Sequence, residues 1–182
     1  MLNSASANGG IVTQPEIEGS PIIDIEHSNN TSDGDEWIIT IIIDNAAAEN
    51  DTFVQVKTQI CTNDGVCQPP ENRNMTVSEN NSTWKAAMFT IEDHTYVNYR
   101  ITLLYPDETE DVFPHSGWAK SWSSCWRYGD PLVWGGEGCP DDTQSDEGEP
   151  FAKEKIPAIS LLATLCIICL AGIFQSGKSQ IE

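Results

Sequence analysis

The residues best placed to do chemistry are Cys61 and Cys67, at the two ends of the stretch CTNDGVC, followed by Gln68-Pro69-Pro70-Glu71. Asn63-Asp64-Gly65 tolerates the positive φ that tight turns require, so the two thiols come back toward each other across a hairpin tip. Pro69 and Pro70 then set an extended, donor-poor exit suited to an edge strand. Such a pair can act as a structural clamp, holding a small loop closed for about 2 kcal/mol, or as a thiol-disulfide exchange pair. Exchange requires a thiolate of low pKa beside a cation, and Lys57 is the only nearby Lys or Arg before Arg73. The clamp is therefore the expectation and exchange the alternative. Cys125 and Cys139, separated by Gly129-Asp130-Pro131 and Gly135-Gly136, form the second expected pair.

A second concentration of chemistry is the aromatic block 117–138, which holds Trp118, Trp122, Trp126, Tyr128 and Trp134. A spacing of four aligns the first three on one face of a strand, with Cys125 on the other. The block reads either as packing over the open end of a small sandwich, which is the expectation, or as a stacking platform for sugars or a partner protein. Six Asn-X-Ser/Thr sequons, at Asn29, Asn30, Asn50, Asn74, Asn80 and Asn81, fall in or beside expected turns. With paired cysteines they point to an exported, glycosylated domain.

Other chemistry is excluded by spacing. His27, His94 and His115 are scattered, no zinc-ligand spacing or nucleophile elbow occurs, and the acids of 140–150 do not fit a calcium loop. Gly172–Ser179, GIFQSGKS, matches the phosphate-loop pattern letter for letter, yet it straddles an apolar run and its polar tail rather than a strand and a helix. No metal or cofactor is expected. With 28 acidic against 9 basic residues and a net charge of −19, the chain lacks the clustered Lys and Arg that nucleic-acid phosphates require.

The elements that must position these residues are strands. Ile22, Ile23 and Ile25 begin the β pattern, and 36–44 carries the run WIITIII, dense enough in β-branched residues for a central strand. Val54, Val56 and Ile60 share one face of 53–60. Further strands are expected at 83–91 and at 96–105, where Val97, Tyr99, Ile101, Leu103 and Tyr105 share a face. Turn signals between them and the absence of a helical period predict an all-β, antiparallel sandwich.

The succession ending in NSTWKAAMFTIEDHTYVNYRITLLYPDET resembles the immunoglobulin-like, or fibronectin type III-like, modules of bacterial and archaeal surface proteins, over about residues 19–110. That resemblance implies an immunoglobulin-like fold and leaves function open. Locally, CTNDGVCQPPE is similar to the cysteine motif of the amino-terminal domain of the DsbD family, itself an immunoglobulin-like sandwich. This similarity implies that Cys61 and Cys67 are the exchanging pair under the alternative reading. The DsbD family continues into a polytopic membrane domain and a thioredoxin-like domain, whereas here a single apolar segment follows.

That segment, residues 156–174, is 19 uncharged, mostly apolar residues, long enough for one transmembrane helix. Cys166 and Cys169 within it read as small apolar residues facing lipid or a helix contact. The expected organisation is a flexible leader at 1–19, which lacks the features of a signal peptide, a disulfide-stabilised sandwich at 20–139, an acidic tether at 140–155, the helix and a short tail at 175–182. Lys153 and Lys155 before the helix against Lys178 after it favour the opposite orientation by the positive-inside rule. The acidic, sequon-bearing, cysteine-paired body outweighs them. The function expected is that of a membrane-anchored extracellular binding or structural module, non-enzymatic, with a surface protein or a glycan as partner. On this reading the protein fractionates with membranes, and removing residues 151–182 releases a soluble domain with intact sheet signal by circular dichroism; an aggregated product without that signal would contradict it.

Overall fold

The computed structural model describes residues 9–141, so the transmembrane assignment at 156–174, the tail and most of the acidic tether lie outside the described residues. No described helix is long and apolar enough to cross a membrane. The described chain is all-β apart from one short helix. Its strands are β1 (Ile22–His27), β2 (Glu36–Ile43), β3 (Phe53–Thr62), β4 (Glu71–Arg73), β5 (Thr76–Val77), β6 (Thr83–Phe89), β7 (His94–Leu104), β8 (Glu110–Phe113), β9 (Ala119–Trp122), β10 (Trp126–Tyr128) and β11 (Val133–Gly135).

One antiparallel sheet runs β1-β2-β6-β5 and the other β4-β3-β7-β8, with β9 also paired to β7. β3 follows nearly the whole of β7, from Phe53 opposite Leu104 to Thr62 opposite His94. The other edge of β7 is shared, β8 taking Ile101 to Leu104 and β9 taking Tyr96 to Tyr99. The two sheets pack together in a sandwich-like arrangement, and strand alternation decides what lies between them. Trp37, Ile39, Ile41 and Ile43 of β2 meet Val54, Val56 and Ile60 of β3, Trp84, Ala86 and Met88 of β6, and Val97, Tyr99, Ile101 and Leu103 of β7 in one buried cluster. Each large aliphatic side chain fully withdrawn from water contributes roughly 1.5–3 kcal/mol. Thr58 is the polar member of the buried face of β3, and its hydroxyl accepts from Arg73 Nε at 2.9 Å.

After exposed Glu36, the run at 37–43 alternates buried with half-buried residues, so its inner face is sealed and its outer face is only partly covered. The pattern did not announce the helix α1 (Asn45–Glu49), whose first turn is capped by Asp44 Oδ1 accepting from Ala47 N at 2.7 Å. One expectation is corrected. The strand expected to carry Trp118, Trp122 and Trp126 on one face breaks at 123–125, so that β9 belongs to the large sheet while β10 and β11 form a separate hairpin. Within the expected leader, Thr13 exchanges backbone hydrogen bonds with Lys120 on the free edge of β9, and Ile17 packs against the core. An unpaired strand edge supplies the donors and acceptors that hold this segment.

His27 closes one corner of the core, its ring 5.1 Å from Tyr99 and 6.4 Å from Trp37. Nδ1 donates to Ser28 O, while Nε2 is buried without a hydrogen-bond partner among the described residues. Burial pushes its pKa below the usual histidine value, outweighing the hydrogen bond to Ser28. The folded state thus keeps His27 neutral where the unfolded chain would protonate it. The associated stability is present above the ordinary histidine pKa of about 6.5 and is lost as pH falls through the lower folded value. Melting temperatures compared at pH 7.5 and in mild acid are expected to drop less for His27→Phe than for the native protein; equal drops would show that His27 is not the group responsible.

Candidate functional site

Five separate pieces of chain converge at one end of the sandwich. They are the β1–β2 turn, the hairpin after β3, the turn entering β7, the bend after β9 and the return toward Cys139. Between them lies an open cleft of about 360 Å³, walled by Ser32, Asp33, Asn63, Asp93, Ser124 and Trp134.

Local hydrogen bonding explains why these side chains hold still. Asp33 Oδ2 accepts from Asp93 N at 2.7 Å, and Asp33 Oδ1 lies 2.7 Å from His94 Nδ1. Because a carboxylate can only accept, the imidazole proton sits on Nδ1; Nε2 lies 3.0 Å from Thr31 Oγ1. Burial acts against the Asp33 charge, but the donors from Asp93 N and from the His94 ring and backbone prevail and hold its carboxyl below the usual range. Asn63, almost fully buried, donates to Asp93 Oδ1 at 2.9 Å, while its carbonyl accepts from Thr95 Oγ1 and from Arg127 N. The return loop rests on Ser124. At Gly136, whose φ is +103°, a Cβ would fall 2.1 Å from Ser124 O, so only glycine fits.

Carboxylate, imidazole and hydroxyl in a row have the geometry of a hydrolase relay. Here His94 is fully buried, Thr31 is 5% exposed, and neither lines the cleft. The row therefore positions Asp33 and ties the β1–β2 turn to β7. Sequence reasoning treated the three histidines as scattered and missed it, because Asp33 and His94 are 61 positions apart and no local spacing encodes the contact.

The four tryptophans considered for binding separate. Trp118 lies beside Arg100, whose guanidinium carbon is 5.9 Å from its ring. Trp122 is 2% exposed, donates from Nε1 to Ile11 O at 2.7 Å, and meets Tyr96, Trp126 and Tyr128 edge-on at 5.1 to 5.5 Å. Trp126 is flanked by the incoming chain and by β11: a Cβ at Gly9 or Gly10, or at Gly135, would come within 3 Å of its ring. Trp134 alone of the four lines the cleft, with Arg127 5.8 Å from its centroid. Lys120 lies over Tyr96 at 4.2 Å and over Tyr128 at 5.1 Å, a cation held by aromatic faces within the same chain.

The disulfides are Cys61–Cys67 and Cys125–Cys139, with Cα separations of 4.0 and 4.5 Å. They suggest an oxidising or extracellular compartment. Cys61 is buried, and Asn98 Nδ2 lies 3.7 Å from its sulfur; Cys67 is exposed. Asn29, Asn30, Asn50, Asn74, Asn80 and Asn81 are all exposed. Among the described residues no group of three or more His, Cys, Asp or Glu is arranged to hold a metal ion. No protein-family model matches the chain, and no curated protein matches it in sequence.

Since Trp122 is packed on all the sides described, Trp122→Ala is expected to destabilise the protein by roughly 3–5 kcal/mol, read as a large fall in melting temperature. An unchanged melting temperature would instead mark that ring as a recognition surface.

Proposed function

We propose that the protein is a membrane-anchored extracellular binding module built on an immunoglobulin-like sandwich, with a glycan or a surface protein as its ligand. The observation that carries this reading is the convergence of five loop segments on one open cleft. Its carboxylates and amide are oriented by hydrogen bonds to one another and to the backbone, and its rim is tied by Cys125–Cys139. Rigid sheets presenting variable loops at one end are a common way to place recognition groups. The sequons on exposed turns, the two disulfides and the apolar segment 156–174 support an exported domain anchored beside a membrane. The full chain, screened against glycan and surface-protein arrays, is expected to select a discrete set of ligands; specific binding to neither array would overturn the reading.

One observation favours thiol-disulfide exchange as a second reading. An incoming thiolate can reach exposed Cys67, forming a mixed disulfide there as the Cys61–Cys67 bond breaks and Cys61 leaves as thiolate beside the Asn98 amide N–H. Under the first reading both disulfides resist mild dithiothreitol together. Selective opening of Cys61–Cys67, seen by peptide mapping after alkylation, is the result that would replace the first reading with the second.

A further inference from the structure

Resting on the binding-module reading, we infer that the cleft walled by Asp33, Asn63, Asp93, Ser32, Ser124 and Trp134 is a subsite for a neutral sugar residue. Its volume, about 360 Å³, has room for a pyranose ring with part of its neighbour. Its chemistry is dominated by acceptors. Asp33 and Asp93 are carboxylates, which accept hydrogen bonds from hydroxyl groups and donate none.

Both carboxylates are held in place before any ligand arrives. Asp33 is fixed by Asp93 N and His94, and Asp93 Oδ1 is fixed by Asn63, leaving Asp93 Oδ2 without a partner among the described residues. The Ser32 and Ser124 hydroxyls, 3.1 Å apart, can each donate or accept. Adjacent sugar hydroxyls, which are donors and acceptors at once, match such a wall. The indole of Trp134 offers the apolar surface that the C–H face of a pyranose covers.

Two carboxylates and an aromatic ring would also suit a cationic ligand. The Trp134 ring already has a cation of its own, the Arg127 guanidinium 5.8 Å from its centroid, which partly offsets the carboxylates' pull on a second cation. A neutral polyol uses the acceptors and the ring without that offset, and the cationic controls below separate the two.

The test uses the full chain in detergent, saturation-transfer-difference NMR, and as probes the methyl glycosides of glucose, galactose, mannose and N-acetylglucosamine, with choline and methylammonium as cationic controls. At least one glycoside is expected to contact the protein. Asp93→Asn, which keeps the shape and the Asn63 contact, is expected to weaken it about ten-fold at an unchanged melting temperature. Trp134→Ala is expected to do the same, and Asp93→Asn decides the matter if the tryptophan variant does not fold. The inference is overturned if no glycoside contacts the protein, if contact survives Asp93→Asn undiminished, or if the cationic controls bind in place of the glycosides. A ligand captured on the arrays equally well by native protein and by Asp93→Asn would sink the sugar subsite while leaving the binding module standing.

Discussion

Because side chains alternate along a strand, the pairing of β7 with β3 settles together which residues meet in the core and which stand on the outer face. Val97, Tyr99, Ile101 and Leu103 face inward, and each is fully buried. Tyr96, Asn98 and Arg100 then face outward by necessity. A slip of one residue would exchange the two sets, exposing four apolar side chains and burying a guanidinium. The ten paired positions between these strands, with a single irregularity at Cys61–Thr62, make such a slip costly.

The outer face and the cleft both follow from that register. Tyr96 opposite Trp122 starts the aromatic cluster, which Tyr128 joins from a different hairpin and Lys120 caps. Tyr96 opposite Cys61 brings the disulfide hairpin alongside the same strand. His94, the first residue of β7, is thereby delivered beneath the β1–β2 turn, where it meets Asp33. The network that orders the cleft is thus anchored on the strand that organises the core, so the cleft inherits the rigidity of the sheet rather than the mobility usual in loops.

The strongly acidic composition has a local counterpart. Among the described residues the cleft wall carries no Lys or Arg; Arg127 lies near the Trp134 ring, and Lys120 and Arg100 lie against aromatic rings on the outer face. These cations are engaged by rings of the same chain. Burial raises the Tyr96 pKa, with Tyr128 adding to it.

What the sequence determined by itself was whatever depends on near neighbours. Alternation located β1, β2, β3, β6 and β7 to within a few residues, and Val54, Val56, Ile60, Val97, Tyr99, Ile101 and Leu103 were legible as core because pleating has a period of two. Asn63-Asp64-Gly65 and the glycines before Cys139 told of turns that return each cysteine to its partner. The tertiary structure decided what depends on contacts between distant residues. A spacing of four tryptophans does not say where a strand must bend, and the bend at 123–125 follows from Ser124 N bonding Thr31 O in another loop. Nor does any local pattern mark Thr13 as an edge partner of Lys120, or Asp33 as the orienting partner of His94. The first of these exists because a free strand edge offers donors and acceptors, and the second because two sheets already fixed by their own periodicity bring the turns to one end, where buried His94 must find a partner.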